Sequence, residues 1–494
     1  MLKVNEFERD LDRKTTRSRL NDENANIVYT FDGSDVDLLD NLDIVSKYIK
    51  HHLEYQKPRL VELNNYYESN NFNLAVSQRR REEHMADNRA AHDYAAYISD
   101  FSNGYFLGNP IQVMSNDNSI AEKIEEIHDY NDIDSHNRSL GLDLSIFGRA
   151  FEYIVNTSED KIRLYKSDVK NTFIIYDNSI ERNSLIAVRY RKTMSIDEED
   201  NSFIVNIVSK YYTYEYRTSI EDDFKLYENK VPEPHLFDRV TITEFKNNER
   251  SRGDFEKVIS LIDLYDNAQT DTANYMTDLN DAMLLLKGNV DLNDVKNQKK
   301  ANVLILEPPL YEDDSGKTTE GTVDGHYIYK QYDVQGTEAY KTRIDNDIHM
   351  FTNTPNMKDE NFSGTTSGEA MKYKLFGLEQ RTKIKEGLFE KALNRRYKLI
   401  GTILKSTNEV KSDSDFSALE FTFNRNLPKS IIEELNTYAS VGGRISQSTL
   451  MSLMSFIKDP ELEMEKLKDE EIKESKKQGE VMYDNQIKEE TDVE

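Results

Sequence analysis

The chain runs to 494 residues with a net charge of −27 and no cysteine. That length allows two or three domains with a sizeable core, and the missing thiols exclude disulfides, thiolate metal sites and a cysteine nucleophile. The 29 tyrosines and 21 phenylalanines argue against general disorder, while the acidity argues against broad nucleic-acid affinity and leaves local contacts open.

The start, MLKVNEFERDLDRK, is too charged for a secretory signal, and apolar runs such as AMLLL at 282–286 are too short to span a bilayer. A protein made in a cytoplasm, without membrane association, is expected. Residues 1–40 mix charges, Asn and Asp with little periodicity and read as a flexible or loosely docked arm. Helical spacing begins with Leu42, Val45, Ile49 and Leu53, is interrupted at Pro58, and resumes with Leu60, Leu63 and Tyr67. Arg79–Arg81 reads as the solvated start of a helix bearing Ala91, Tyr94, Ala95 and Ile98, which Gly104, Gly108 and Pro110 end. A short polar helix is predicted around Ile120, Ile124 and Ile127. From Leu144 to Phe245 the period becomes two: Phe151, Tyr153 and Val155 alternate, as do Phe203, Val205 and Ile207. Gly148 suits a bend or bulge in the first strand. The tyrosines of this β-rich region read as half-buried sheet residues, since basic residues do not interleave densely with them.

A second long helix is predicted from near Asp254. Val258, Ile262, Tyr265, Gln269, Thr272, Met276, Leu279, Met283 and Leu286 keep a 4-3 spacing. Its polar middle suits a helix packed among several neighbours better than an isolated coiled coil. Gly288 ends it. Residues 289–335 form a compact insert with a buried strand VLILEPPL at 303–310, a loop EDDSGKTTEG and an alternating strand HYIYKQYDV. A third helix runs from about Thr337 to Phe351. A polar loop, Thr352 to Thr365, precedes a long helix capped by Thr366 with Glu369 at capping-box spacing. No proline interrupts that helix for roughly 38 residues, about 57 Å. Ser367 to Leu404 carries nine Lys/Arg against four Glu. Such a helix faces acidic neighbours, a polyanion, or simply solvent. A strand-like ALEFTFN at 418–424, two short helices, one starting at Pro428 and one after a break at Gly442–Gly443, and a tail with thirteen acidic and six basic residues complete the chain. The fold class is α+β.

Asn88, Arg89, Tyr94 and Ile98, running into Gly104, Tyr105, Leu107, Gly108, Pro110 and Ile111, resemble the N-terminal signature of phage portal proteins. These are the head–tail connectors of tailed double-stranded DNA phages, here of the long-tailed branch. The similarity continues through IFGRAFEYIV at 146–155, TFIIYD at 172–177, DRVTITEFKNNERSRGDFEKVISLIDLYD at 238–266 and TPNMKDENFSGTTSGEAMKYKLFGLEQ at 354–380.

The resemblance implies a portal fold. After the arm at 1–40 comes a wing at 41–250, helical over 41–143 and β-rich over 144–250. Stem helices at 251–288 and 336–351 flank a clip at 289–335. A tunnel loop at 352–366, a spine helix at 367–405 and a crown with acidic tail at 406–494 follow. It further implies a ring of about twelve subunits at one capsid vertex, the channel for DNA packaging and ejection. Double-stranded DNA would pass without sequence specificity near tunnel-loop residues Asn353, Asn356, Lys358, Asp359, Glu360 and Asn361. Clip residues Glu307, Tyr311, Glu312, Asp313, Asp314 and Lys317 would dock the terminase large subunit and later a head–tail adaptor. The major capsid and scaffolding proteins are further implied partners. The implied location is the virion, with the host cytoplasm during assembly.

Catalytic signals are missing. SGKT at 315–318 resembles the end of a P-loop, but Tyr311 stands where that motif needs glycine, and Glu312 to Asp314 would repel phosphates. His51–His52 and His84/His92 lack metal-site spacing. No catalytic residue, metal or cofactor is expected, and packaging ATP hydrolysis would belong to the terminase. The alternative function is an intracellular helical scaffold or adaptor without a DNA channel.

Overall fold

The computed structural model describes residues 22–71, 86–115, 117–157, 161–193, 202–278, 283–287, 310–312, 314–322, 324–328, 333–357, 375–410 and 418–425, with isolated positions besides. The chain divides into two compact units, Met1–Met357 with Leu375–Arg425, and Lys358–Lys374 with Asn426–Glu494. In the second, Met451 is buried and Lys466 pairs with Glu463 at 3.2 Å. Of the two helices expected after Pro428, the first lies outside the described residues, and in the second the described positions Gln447 and Met451 are helical.

Residues 22–40, expected to belong to a flexible or loosely docked arm, are built into the fold. Strand β1 (Tyr29–Phe31) joins a sheet edge, and helix α1 (Asp35–Asp40) starts with a capping box between Ser34 and Asp37. Ala25, Tyr29 and Leu38 are buried. Each short piece buries only one or two side chains, which leaves no periodicity to read. Helix α2 (Leu42–His51) passes through a π-helical turn, His52–Gln56, into α3 (Lys57–Tyr67). Pro58 therefore does not interrupt the run. It falls in the first turn of α3, just after the Lys57 N–H reaches back to the His52 carbonyl. There its missing N–H is tolerated.

Residues 86–93 belong to neither helix nor strand, so Ala91 precedes the helix rather than joining it, and α4 spans Tyr94–Leu107. Strand β2 (Gln112–Met114) leads to α5 (Asn118–Asn131) and α6 (Ile133–Phe147), separated by a left-handed Asp132. Gly148 was expected as a bend within a strand. Instead it ends α6 with φ of +82°, and a Cβ there would meet the Ser251 carbonyl oxygen at 2.2 Å. Only glycine combines that backbone with that approach.

The β-rich region follows as β3 (Arg149–Asn156), β4 (Ile162–Ser167), β5 (Thr172–Asp177), β6 (Ser184–Lys192), β7 (Ser202–Val208), β8 (Tyr212–Ser219), β9 (Tyr227–Pro234) and β10 (Ile242–Lys246). They form a six-stranded sheet in the order β1-β5-β6-β7-β8-β9 and a three-stranded sheet β10-β3-β4. All pairs are antiparallel except β1 with β5. Val205 and Ile207 face inward, as their alternation predicts.

A 3-10 turn, Glu256–Val258, opens helix α7 (Ile259–Asp278). The heptad pattern through Leu286 is overturned at its end. Residues Met283–Lys287 form β11, antiparallel to β14 (Asp324–Ile328), with Met283 opposite Ile328. A continuous apolar run fits helix or strand equally, and pairing with a partner 37 or more residues away decides it. The expected loop around 312–321 is a hairpin of β12 (Leu310–Glu312) and β13 (Thr318–Glu320) turning at Gly316, φ +76°. Most of VLILEPPL lies outside the described residues.

Helix α8 (Val334–Thr352) returns along α7. Ile344 and Ile348 near its end share a core with Ile259 and Ile262 near the start of α7, so the two helices run antiparallel. Helix α9 (Phe376–Ser406) packs Phe389, Leu393, Tyr397 and Ile400 against α5, α6 and β3. The expected capping box at Thr366 lies outside the described residues. Strand β15 (Glu420–Thr422) pairs with β2. Among the described residues no helix is long and apolar enough to cross a membrane.

Candidate functional site

Asp254 sits where the chain enters the turn before α7. Gly253 brings the backbone against the end of α6, where an added Cβ would meet the Ile146 carbonyl oxygen at 2.3 Å. Asp254 N–H donates to the Ser145 carbonyl at 2.7 Å. Its buried carboxylate accepts from Ser145 Oγ and from Asn247 Nδ2 at 2.7 Å. From α9, Lys385 Nζ reaches Oδ2 at 2.8 Å and Arg381 Nη2 reaches Oδ1 at 2.6 Å. Burial alone would raise this carboxyl group. The two cations outweigh burial and hold it well below the usual carboxylate range. Burial pulls the Lys385 ammonium down, opposed by Asp254.

Arg381 also reaches the end of α8. Its Nη1 donates to the Thr352 carbonyl at 2.6 Å. The helix stops at Asn353, which is exposed and left-handed at φ +54°. Thr354 N–H then closes on the His349 carbonyl at 3.2 Å. The next residues are held from α4. Tyr97 OH donates to the Pro355 carbonyl at 2.8 Å, and Tyr94 OH donates to Asp345 at 2.5 Å. Asn356 Nδ2 donates to the other Asp345 oxygen at 3.0 Å. Burial, then the Asp345 hydrogen bond, pushes the Tyr94 phenol far above its ordinary value, so it stays protonated and donating.

Helix α7 carries a polar stripe facing the segment 86–93 before α4. Asp266 accepts from the His92 N–H, Thr270 from the Ala90 N–H and Asn274 from the Asn88 N–H, at 3.0, 3.1 and 2.6 Å. Asn88 Nδ2 donates to Thr277 at 2.9 Å. One turn before this stripe, Asp263 accepts from Tyr66 and Asn71. The polar character of α7 thus serves an intramolecular seam.

Of the residues expected near DNA, the fold places Asn353 and Asn356 together at the end of α8. Asn353 shapes the chain reversal and Asn356 is engaged by Asp345. Lys358, Asp359, Glu360 and Asn361 lie outside the described residues. Of the expected docking residues, Tyr311, Glu312, Asp314 and Lys317 are exposed on the β12–β13 hairpin. Glu307 and Asp313 lie outside the described residues. The Gly316–Lys317 pair occupies the turn of that hairpin, not the strand-to-helix turn a P-loop requires.

Half of the basic charge of α9 is turned inward: four of its eight Lys and Arg residues are engaged within the fold. Arg381 and Lys385 serve Asp254, Arg396 serves Glu152 on β3, and Arg395 donates to Ser184 Oγ and the Val240 carbonyl. Lys383, Lys391 and Lys398 are exposed. Sequence reasoning counted these cations without finding their partners. Arg381 and Asp254 lie 127 positions apart, and no local spacing signals that pairing.

A family model described as "Phage portal protein, SPP1 Gp6-like" matches residues 46–477. The portal protein of Bacillus phage SPP1 is 22% identical over 424 residues, covering 83% of this chain and 81% of that protein. The portal protein of Clostridium phage phiCD119 is 25% identical over 448 residues, covering 85% and 93% respectively.

Proposed function

The chain belongs to the SPP1 Gp6-like family of phage portal proteins, and from that premise we propose that its copies close head to tail into a ring of about twelve subunits whose bore passes double-stranded DNA. As a portal protein it is a structural component of the virion and not an enzyme. In this reading α7 and α8 are the stem, the region between them is the clip, residues 352–366 are the tunnel loop, and α9 is the spine of the wing. The exposed hairpin with Tyr311, Glu312, Asp314 and Lys317 docks the terminase large subunit and then the head–tail adaptor. The outer surfaces meet the major capsid and scaffolding proteins.

The observation that supports this best is the end of α8. An antiparallel helix pair stops at a chain reversal that α4 and α9 hold by side-chain donors. The segment beyond therefore leaves from a fixed point, as a loop projecting into a bore must. With Asn353 shaping the reversal and Asn356 engaged by Asp345, contact with DNA falls to Lys358 and Asn361.

Native mass spectrometry of the purified protein, with negative-stain images of the same sample, tests the ring. The expected result is a closed particle of about twelve subunits with a central hole. A chain that stays monomeric even when mixed with its capsid and scaffolding proteins overturns the channel reading.

A further inference from the structure

We propose that Arg381 is the positioning residue that sets where the loop after α8 leaves the helix pair. The functional weight of this inference rests on reading that loop as the DNA-facing part of the portal. The geometry stands by itself. One guanidinium touches the segment that leads into α7 and the last residue of α8. Nη2 donates to the Asp254 carbonyl at 2.8 Å and to its carboxylate at 2.6 Å, just ahead of α7. Nη1 donates at 2.6 Å to the carbonyl of Thr352, the last residue of α8.

A helix end leaves its last carbonyls without intrahelical partners and carries partial negative charge, so a cation there is favourable. Arginine suits the task because its planar fork can donate in two fixed directions at once, which a lysine ammonium on a flexible stem cannot reproduce. Asp254 cannot follow a moving arginine. Lys385, Asn247 and Ser145 hold the same carboxylate, whose side chain is only 1% exposed. The Asp254 side of Arg381 is therefore the fixed point, and its other arm transmits that position to Thr352.

Lys385 provides the contrast. It lies one turn further along α9 and binds the same carboxylate, with no hydrogen bond to residues 352–356 among those identified. If Arg381 only stabilised the core, the two variants would behave alike. If it positions the loop, only its own replacement loosens the segment after Thr352.

Hydrogen exchange of the full-length protein, followed by mass spectrometry, separates these cases in the parent, Arg381→Lys, Arg381→Ala and Lys385→Met. The Asn353 and Thr354 amides report directly, since both bond back into α8. Exchange in peptides covering 350–356 should accelerate about tenfold in both Arg381 variants, the effect of losing one charged hydrogen bond on a local opening. Lys385→Met should lower the thermal midpoint and leave that segment's exchange unchanged. Should Arg381→Ala fail to fold, Arg381→Lys decides alone. Parent-like protection in Arg381→Lys, or equal acceleration in Lys385→Met, overturns the proposal. Phage heads assembled with Arg381→Lys then test the functional reading separately. Faster exchange with altered DNA retention supports both. Faster exchange with unchanged packaging and retention keeps the positioning role and overturns the DNA-facing role of the loop.

Discussion

Glu152 on β3 and Arg396 on α9 are both fully buried and meet in a two-pronged ion pair, with Nε–Oε2 at 2.9 Å and Nη2–Oε1 at 2.6 Å. His136 Nε2 lies 2.8 Å from the same carboxylate, and Asn137 Oδ1 accepts from Arg396 at 2.9 Å. Burial would raise the Glu152 carboxyl group, but Arg396 and then His136 reverse the effect and bring it down to about 2, against 4.5 for an ordinary glutamate. A depressed folded-state pKa means stability that is present above the unfolded value and lost as pH falls through the folded one. Each pKa unit corresponds to about 1.4 kcal/mol, so the ionised carboxylate contributes on the order of 3 kcal/mol at neutral pH. Replacing it by Gln leaves Arg396 buried without its counter-charge, a loss of about 3–5 kcal/mol. Thermal midpoints of Glu152→Gln should therefore lie well below the parent at pH 7 and approach it as pH falls from 4.5 toward 2. A constant gap across that range would mean that the pair does not carry this ionisation.

The polar stripe of α7 works at the scale of an element. Thr270 is fully buried and accepts the Ala90 N–H, so Thr270→Val keeps the shape and removes the acceptor. An unsatisfied N–H of this kind costs about 1–3 kcal/mol. Faster amide exchange across 88–92 is expected, with α7 itself intact, and unchanged exchange would show that the seam does not depend on this bond. The sequence announces elements whose own periodicity carries them. Ile120, Ile124 and Ile127 mark α5, and Phe203, Val205 and Ile207 mark β7. It fails where a distant partner decides. Met283–Lys287 is apolar without alternation and becomes a strand through Asp324–Ile328. Pro58 is harmless only because a π-turn precedes it. The base of the candidate loop was half legible: the α8 end and the non-helical residues 353–357 after it follow from local composition, while its holders, Tyr97 and Arg381, come from elements 258 and 29 positions away.

Across the whole molecule the net charge is −27, and four of the eight cations of α9 are engaged inside the fold. The acidic balance suits the proposed channel for DNA. Duplex DNA carries one phosphate charge per about 1.7 Å of axis, and each neutralised phosphate strengthens salt-dependent binding. A strongly basic wall would hold the duplex against translocation, whereas an acidic subunit with isolated cationic points lets it pass. Lys358, followed directly by Asp359 and Glu360, is such a point in sequence. Reversing it leaves three consecutive acids, which would repel a passing phosphate backbone. Lys358→Glu is therefore expected to assemble rings like the parent, as counted by native mass spectrometry, and to change the amount of DNA packaged or retained per head. Normal rings with parental DNA content would remove Lys358 from the DNA path. A failure to form rings would instead place the residue in the contact between neighbouring copies.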